Sequence, residues 1–150
     1  MKHNSTRSGL ANPLHLIASR QVHSETDTHW ALFAFYVHMS EMKENSIAHW
    51  QNIRGITAYL AASACIADVY KIVPLANVAD DVASVWMHAS ARCRGQLIVT
   101  PRIMQKLRRL MFELIRWLPR IEKGVWASCY DSAYTVWAQT VHEHNMEQPE

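Results

Sequence analysis

The sequence predicts an all-α fold, an irregular single-domain bundle of five or six helices. Three observations carry that expectation. Only 4 Gly and 5 Pro occur in 150 residues, too few turn formers for many short strands. Apolar residues recur at spacings of three and four along most of the chain. Asn12-Pro13 and Thr100-Pro101 stand where helices should open, each an N-cap residue followed by a proline that suits the first helical turn. A composition of 49% hydrophobic and 19% charged residues over this length belongs to one globular domain with a core.

The elements follow in order. Residues 1–11 are polar and are expected to form a disordered tail, as are residues 145–150. Asn12-Pro13 opens a helix over 13–23. The stretch SETDTH, 24–29, supplies capping oxygens and acids ahead of a second helix over about 27–43, with Trp30, Phe33, Tyr36 and Val37 among its bulky residues. Asn45-Ser46 caps a third helix that continues to about Val73, where Pro74 ends it. Its middle is rich in Ala and Ser, so other helices can approach closely, and it is the candidate central helix. Gly55 inside it is expected to weaken or bend it.

A fourth helix covers about 75–93. Leu75, Val78, Val82, Val85 and Ala89 form its apolar stripe, Asp80 and Asp81 sit near its start, and Gly95 follows it as a C-cap. The linker QLIV, 96–99, reads as a strand-like piece without a partner. Thr100-Pro101 starts a fifth helix that Pro119 interrupts after Leu118. A sixth helix covers about 120–143, with Ile121, Val125, Trp126, Cys129, Ala133, Val136, Trp137 and Thr140 on one side.

Charge is polarised along this chain. Residues 92–123 hold nine basic side chains against two acids, a net of +7, while the remainder carries −5. The fifth helix concentrates the basic side chains. At about 100° per residue, Arg102, Lys106, Arg109, Glu113, Arg116 and Arg120 fall within about 40° of one line. Ile103, Met104, Leu107, Leu110, Met111, Leu114, Ile115 and Leu118 fill the opposite arc. Trp117 sits at the boundary of the two arcs, where an apolar anchor would stand. The ordinary reading of such a line is a solvated face. The functional reading is an acidic partner, and five Arg to one Lys in this stretch favour it, because the guanidinium fork matches carboxylate and phosphate.

The expected function is therefore a small non-enzymatic binding or regulatory protein. Its partner-binding residues are Arg102, Lys106, Arg109, Arg116, Trp117 and Arg120. The partner is an acidic protein surface or a second copy in a homodimer. The alternative is a DNA-binding protein using the same face, with Arg102, Gln105, Lys106 and Arg109 near the helix start. Against it, the QLIV linker is longer than a helix-turn-helix turn.

Other chemistry finds little support. The nine histidines include no pair at the spacing of four that a helical metal site uses, and no Glu-x-x-His. His23 and His29, with the carboxylates between them, read as helix capping. Asp81 and His88 could share a hydrogen bond. Four glycines leave no phosphate-cradling loop, and no Gly-x-Ser-x-Gly occurs. No cofactor is expected, and no residue can be assigned a catalytic role; a metal-dependent or His/Asp enzyme assembled from distant helices ranks last. Cys65, Cys93 and Cys129 are far apart and odd in number, which suggests buried or free thiols in a reducing, cytoplasmic setting. Cys93, between Arg92 and Arg94, is the one thiol placed for a lowered pKa. The longest apolar run, 56–67, is too short to span a bilayer, so no membrane partner is expected.

Overall fold

The computed structural model describes the backbone of residues 20–92 and 96–147, and the side chains of residues 20–89 and 96–136. Within them the chain forms α1 (Glu25–Ala31), α2 (Phe33–Glu41), β1 (Ser46–Ile47), α3 (Trp50–Tyr70), α4 (Val73–Arg92), β2 (Ile98–Val99), α5 (Pro101–Trp117), a 3-10 turn (Leu118–Arg120) and α6 (Lys123–Glu147). The all-α expectation holds, with helices packed irregularly around α3, which touches α2, α4 and α6.

Capping chemistry sets several of the boundaries. Ser24 and Asp27 form a reciprocal capping box at the start of α1, as the SETDTH stretch suggested. The Thr100 hydroxyl accepts from the Ile103 N–H at 3.2 Å, with Pro101 behind it, and opens α5. His49 caps α3 instead of Asn45-Ser46, accepting from the Gln51 N–H through Nδ1. Lys71, at φ 57°, ends α3 in the left-handed region before the chain reaches Pro74. Pro74 thus lies in the first turn of α4, where its missing N–H costs nothing, and does not terminate α3.

Three further expectations need correction. The predicted helix over 27–43 is two helices that meet at Leu32. The Tyr59 hydroxyl donates to the Ala31 carbonyl at 2.7 Å. That carbonyl would otherwise accept from the backbone four residues on, so a side chain 28 residues away has entered the helical ladder. The QLIV piece does have a partner. Ile98 and Val99 pair antiparallel with Ile47 and Ser46, and Leu97 and Val99 point into the core. The C-terminal helix extends past the expected tail boundary to Glu147.

The first helix, predicted over 13–23, lies mostly outside the described residues, and Gln21 to His23 are not helical. Val22 bridges Glu122, and the Lys123 N–H donates to the Gln21 carbonyl at 2.9 Å. Residues 1–11, Cys93 and Gly95 are likewise outside the described residues.

The core is continuous. Phe35, Ile56, Ile66, Leu75, Leu110 and Ile121 are among its fully buried members. Small residues of α3 make the close crossings possible. Gly55 is buried because the His38 ring occupies the space a Cβ would need, and His38 Nδ1–H donates to Asn52 Oδ1 at 2.9 Å. Helix α6 runs antiparallel to α3, so Tyr130 meets Tyr59 and Tyr134 meets Arg54. Cys65 and Cys129 lie on this seam with Cα atoms 6.0 Å apart and form a disulfide, which corrects the expectation of free thiols at these two positions. Of the tryptophans with described side chains, Trp86 and Trp126 are core, whereas Trp30 (70% exposed) and Trp50 are on the surface.

Candidate functional site

Helix α5 buries Ile103, Met104, Leu107, Leu110 and Leu114 against α4 and the rest of the core. Each such side chain contributes about 1.5–3 kcal/mol on removal from water, which fixes the rotation of the helix about its axis. That rotation decides which of the basic side chains are free.

Lys106 is not among them. It is half-buried and paired with Asp81 of α4. The ammonium beside Asp81, with Arg109 and Arg102 adding attraction, holds its carboxyl below the usual carboxylate range. Asp81 is therefore engaged by Lys106; no bond from Asp81 to His88 is seen. His88 instead lines a cavity of about 510 Å³ with Thr100 and Arg102.

Trp117 is half-buried, and its indole N–H donates to Glu113 at 3.0 Å. The Arg116 and Arg120 guanidinium groups lie over its ring, 5.6 and 5.0 Å from the centroid. Trp117 thus organises two arginines rather than standing exposed as an anchor, and the single acid on α5 is used to hold it.

Because α4 covers the Lys106 edge, the solvent-facing arc is turned toward Gln105, Arg108, Arg109, Phe112 and Arg116, with Arg102 and Arg120 at its ends. Arg102, Arg109 and Arg116 stand seven residues apart, two helical turns each, in one exposed row. Phe112 lies beside them at 67% exposure. Gln105, Arg108 and Phe112 are the three members of this face that lie off the helical line. They sit to one side of it, and only the placement of α4 shows that this side is open.

The other histidines with described side chains, His23, His29, His38 and His49, have hydrogen-bond partners within the fold. Buried His23 donates from Nδ1 to the Ile121 carbonyl at 2.8 Å. His29 Nδ1 lies 3.4 Å from the Tyr36 hydroxyl. Among the described residues no three His, Cys, Asp or Glu side chains come together as a metal-sized group. No described helix is long and apolar enough to cross a membrane. No protein family, curated protein or solved structure matches this chain. The surface of α5 is accordingly the feature on which a functional reading must stand.

Proposed function

We propose that this is a non-enzymatic helical binding protein that engages an acidic protein surface through the outer face of α5. The observation that carries the reading is the exposed row Arg102, Arg109 and Arg116 with Phe112 beside it. Protein interfaces concentrate their energy in aromatic and arginine side chains, and arginine forks match carboxylates. A phosphate backbone offers nothing apolar to Phe112, so the pairing favours a protein partner. The acidic remainder of a second copy is one surface of this kind. Lys106, although part of the predicted face, acts mainly within the chain, and Trp117 acts by holding Arg116 and Arg120.

DNA recognition by the same face draws support from the exposed Arg102 and Gln105 in the first turns of α5. The connection from α4 includes β2, however, and Asp81 stands beside the helix. A cytoplasmic location, suggested by cysteine spacing, now turns on the redox state of the Cys65–Cys129 pair.

The test compares partners captured from the native host by the wild type, by Arg102→Glu/Arg109→Glu/Arg116→Glu and by Phe112→Ala. The charge reversal should abolish capture of an acidic partner, and Phe112→Ala should weaken it about tenfold, as loss of an aromatic anchor does. Identical partner lists for all three proteins would leave α5 a solvated face. Binding to labelled duplex DNA that is strong at low salt and falls steeply as salt rises would replace this reading with the nucleic-acid one.

A further inference from the structure

Away from α5, helices α1, α2, α3 and α6 border a cleft of about 360 Å³ lined mainly by aromatic rings. Leu32 is fully buried at the break between α1 and α2, so Trp30 and Phe33 on either side of it stand outward, 70% and 55% exposed. Their ring centroids are 5.8 Å apart, and they form the outer wall of the cleft. Tyr59 and Trp126 are buried behind them, and half-buried Tyr130 follows one turn after Trp126. These three rings cluster at centroid distances of 4.9, 6.0 and 6.1 Å. Alanines between the two groups of rings keep the space open. The planes within the inner cluster are tilted by 37° to 62°, so a group in the cleft meets ring faces as well as edges. Two adjacent exposed aromatics forgo burial that a ligand restores.

Charge narrows the ligand. Asp131, exposed at the rim, is the one charged residue lining the cleft, and no lysine or arginine lines it. Lys123, two turns earlier on α6, is held 2.8 Å from Asp27. One turn beyond Tyr130, in contrast, the chain fills an aromatic pair itself: the Arg54 guanidinium lies 5.1 Å from the centroids of both Trp50 and Tyr134. The same helices therefore hold a cation between rings at Tyr134, and at Tyr130 they provide rings and a carboxylate with no cation of their own.

The kind of cation follows from hydrogen bonding. An ammonium or guanidinium group brings three to five N–H donors that need acceptors once they leave water. The cleft is poor in acceptors, because the Tyr59 hydroxyl is committed to the Ala31 carbonyl and Asp131 supplies the single carboxylate. A quaternary ammonium has no N–H to satisfy. Its methyl groups pack against rings, and its charge is met by their electron-rich faces.

We propose that this cleft binds a small soluble quaternary-ammonium cation, seated among Trp30, Phe33, Trp126 and Tyr130 with Asp131 offsetting its charge. The volume suits such a ligand, lying at the lower end of the range for small-molecule sites. This inference is independent of the proposed role of α5.

The probes are choline and its neutral carbon isostere, 3,3-dimethylbutan-1-ol, followed through the indole N–H resonances of the isotope-labelled full-length protein. Choline should shift the Trp30 and Trp126 signals saturably and leave Trp50 in place. The neutral alcohol should bind about tenfold more weakly, since it lacks the charge. Trp30→Ala, which removes an exposed side chain and should leave the urea midpoint unchanged, should weaken choline about tenfold. Asp131→Asn should weaken it about threefold. No saturable shift in the wild type would overturn the proposal. Equal binding of choline and the alcohol would overturn it by reducing the cleft to an apolar recess. Binding left intact by both substitutions would overturn it by placing choline elsewhere. Cosedimentation with phosphatidylcholine vesicles, without binding of free choline, would overturn it in favour of a lipid headgroup.

Discussion

Helices α3 and α5 use their sequences in opposite ways. Over its 21 residues α3 carries only Arg54 and Asp68 as charged side chains, and α2, α4 and α6 pack around it. Its alanines and glycine set how closely those helices approach. Over 17 residues α5 carries six charged side chains on one side and a row of buried leucines on the other. Substitutions along most of α3 thus change packing and function together. On α5 the two can be separated, because the outer row touches little of the fold.

The largest expected effect breaks or sharpens that contrast within α5 itself. Leu110 is fully buried and Arg109, its neighbour in sequence, is exposed. Leu110→Ala should destabilise the protein by about 2–5 kcal/mol through lost burial and the cavity left behind. Arg109→Ala should stay within about 0.5 kcal/mol. Urea unfolding of both variants measures this. Comparable losses would mean that the arginine row is structural, and the case for a free binding face would fall.

A smaller effect is expected where α3 reaches outside itself. The Tyr59 hydroxyl occupies the Ala31 carbonyl at the break, and its burial, with Phe35 and Tyr130 against its ring, pushes its pKa well above the ordinary tyrosine value. Tyr59→Phe keeps the stacking but leaves the Ala31 carbonyl without its donor. The expected loss is about 1–3 kcal/mol, with faster amide exchange at Phe35. Unchanged stability together with slower exchange there would show that α1 and α2 had fused into one helix. The break would then owe nothing to α3.

These cases also show what was legible in the sequence. Helix α5 was, down to Thr100-Pro101 and its apolar arc, because caps and periodicity are local signals. The all-α architecture and the central place of the alanine-rich helix were legible for the same reason. The break at Leu32 depends on a hydroxyl far along the chain, the β1–β2 pair on two linkers meeting, and the Cys65–Cys129 bond on the α3–α6 crossing. None has a local signature. The candidate face lies between these extremes. Its arginines stood out at once, whereas the loss of Lys106 to Asp81 and the exposure of Phe112 were set by how α4 covers the helix.

The smallest effect concerns that boundary between α4 and α5. Two carboxylates are held below the usual range: Asp27 by Lys123 and by the Ser24 N–H and hydroxyl, and Asp81 chiefly by Lys106. A carboxylate with a depressed folded pKa stabilises the protein above its unfolded value, about 3.9, and loses that contribution as pH falls through the folded value. Asp81→Asn removes this dependence. The melting temperatures of wild type and variant should differ most above about pH 5, and the gap should begin to close below about pH 4. Because the pair is partly exposed, raising the salt concentration should shrink the gap as well. A gap that ignores both pH and salt would mean that Asp81 supports the α4–α5 contact by shape alone. Lys106 would then count among the free cations of the outer face, and the row available to an acidic partner would extend to the edge of α4.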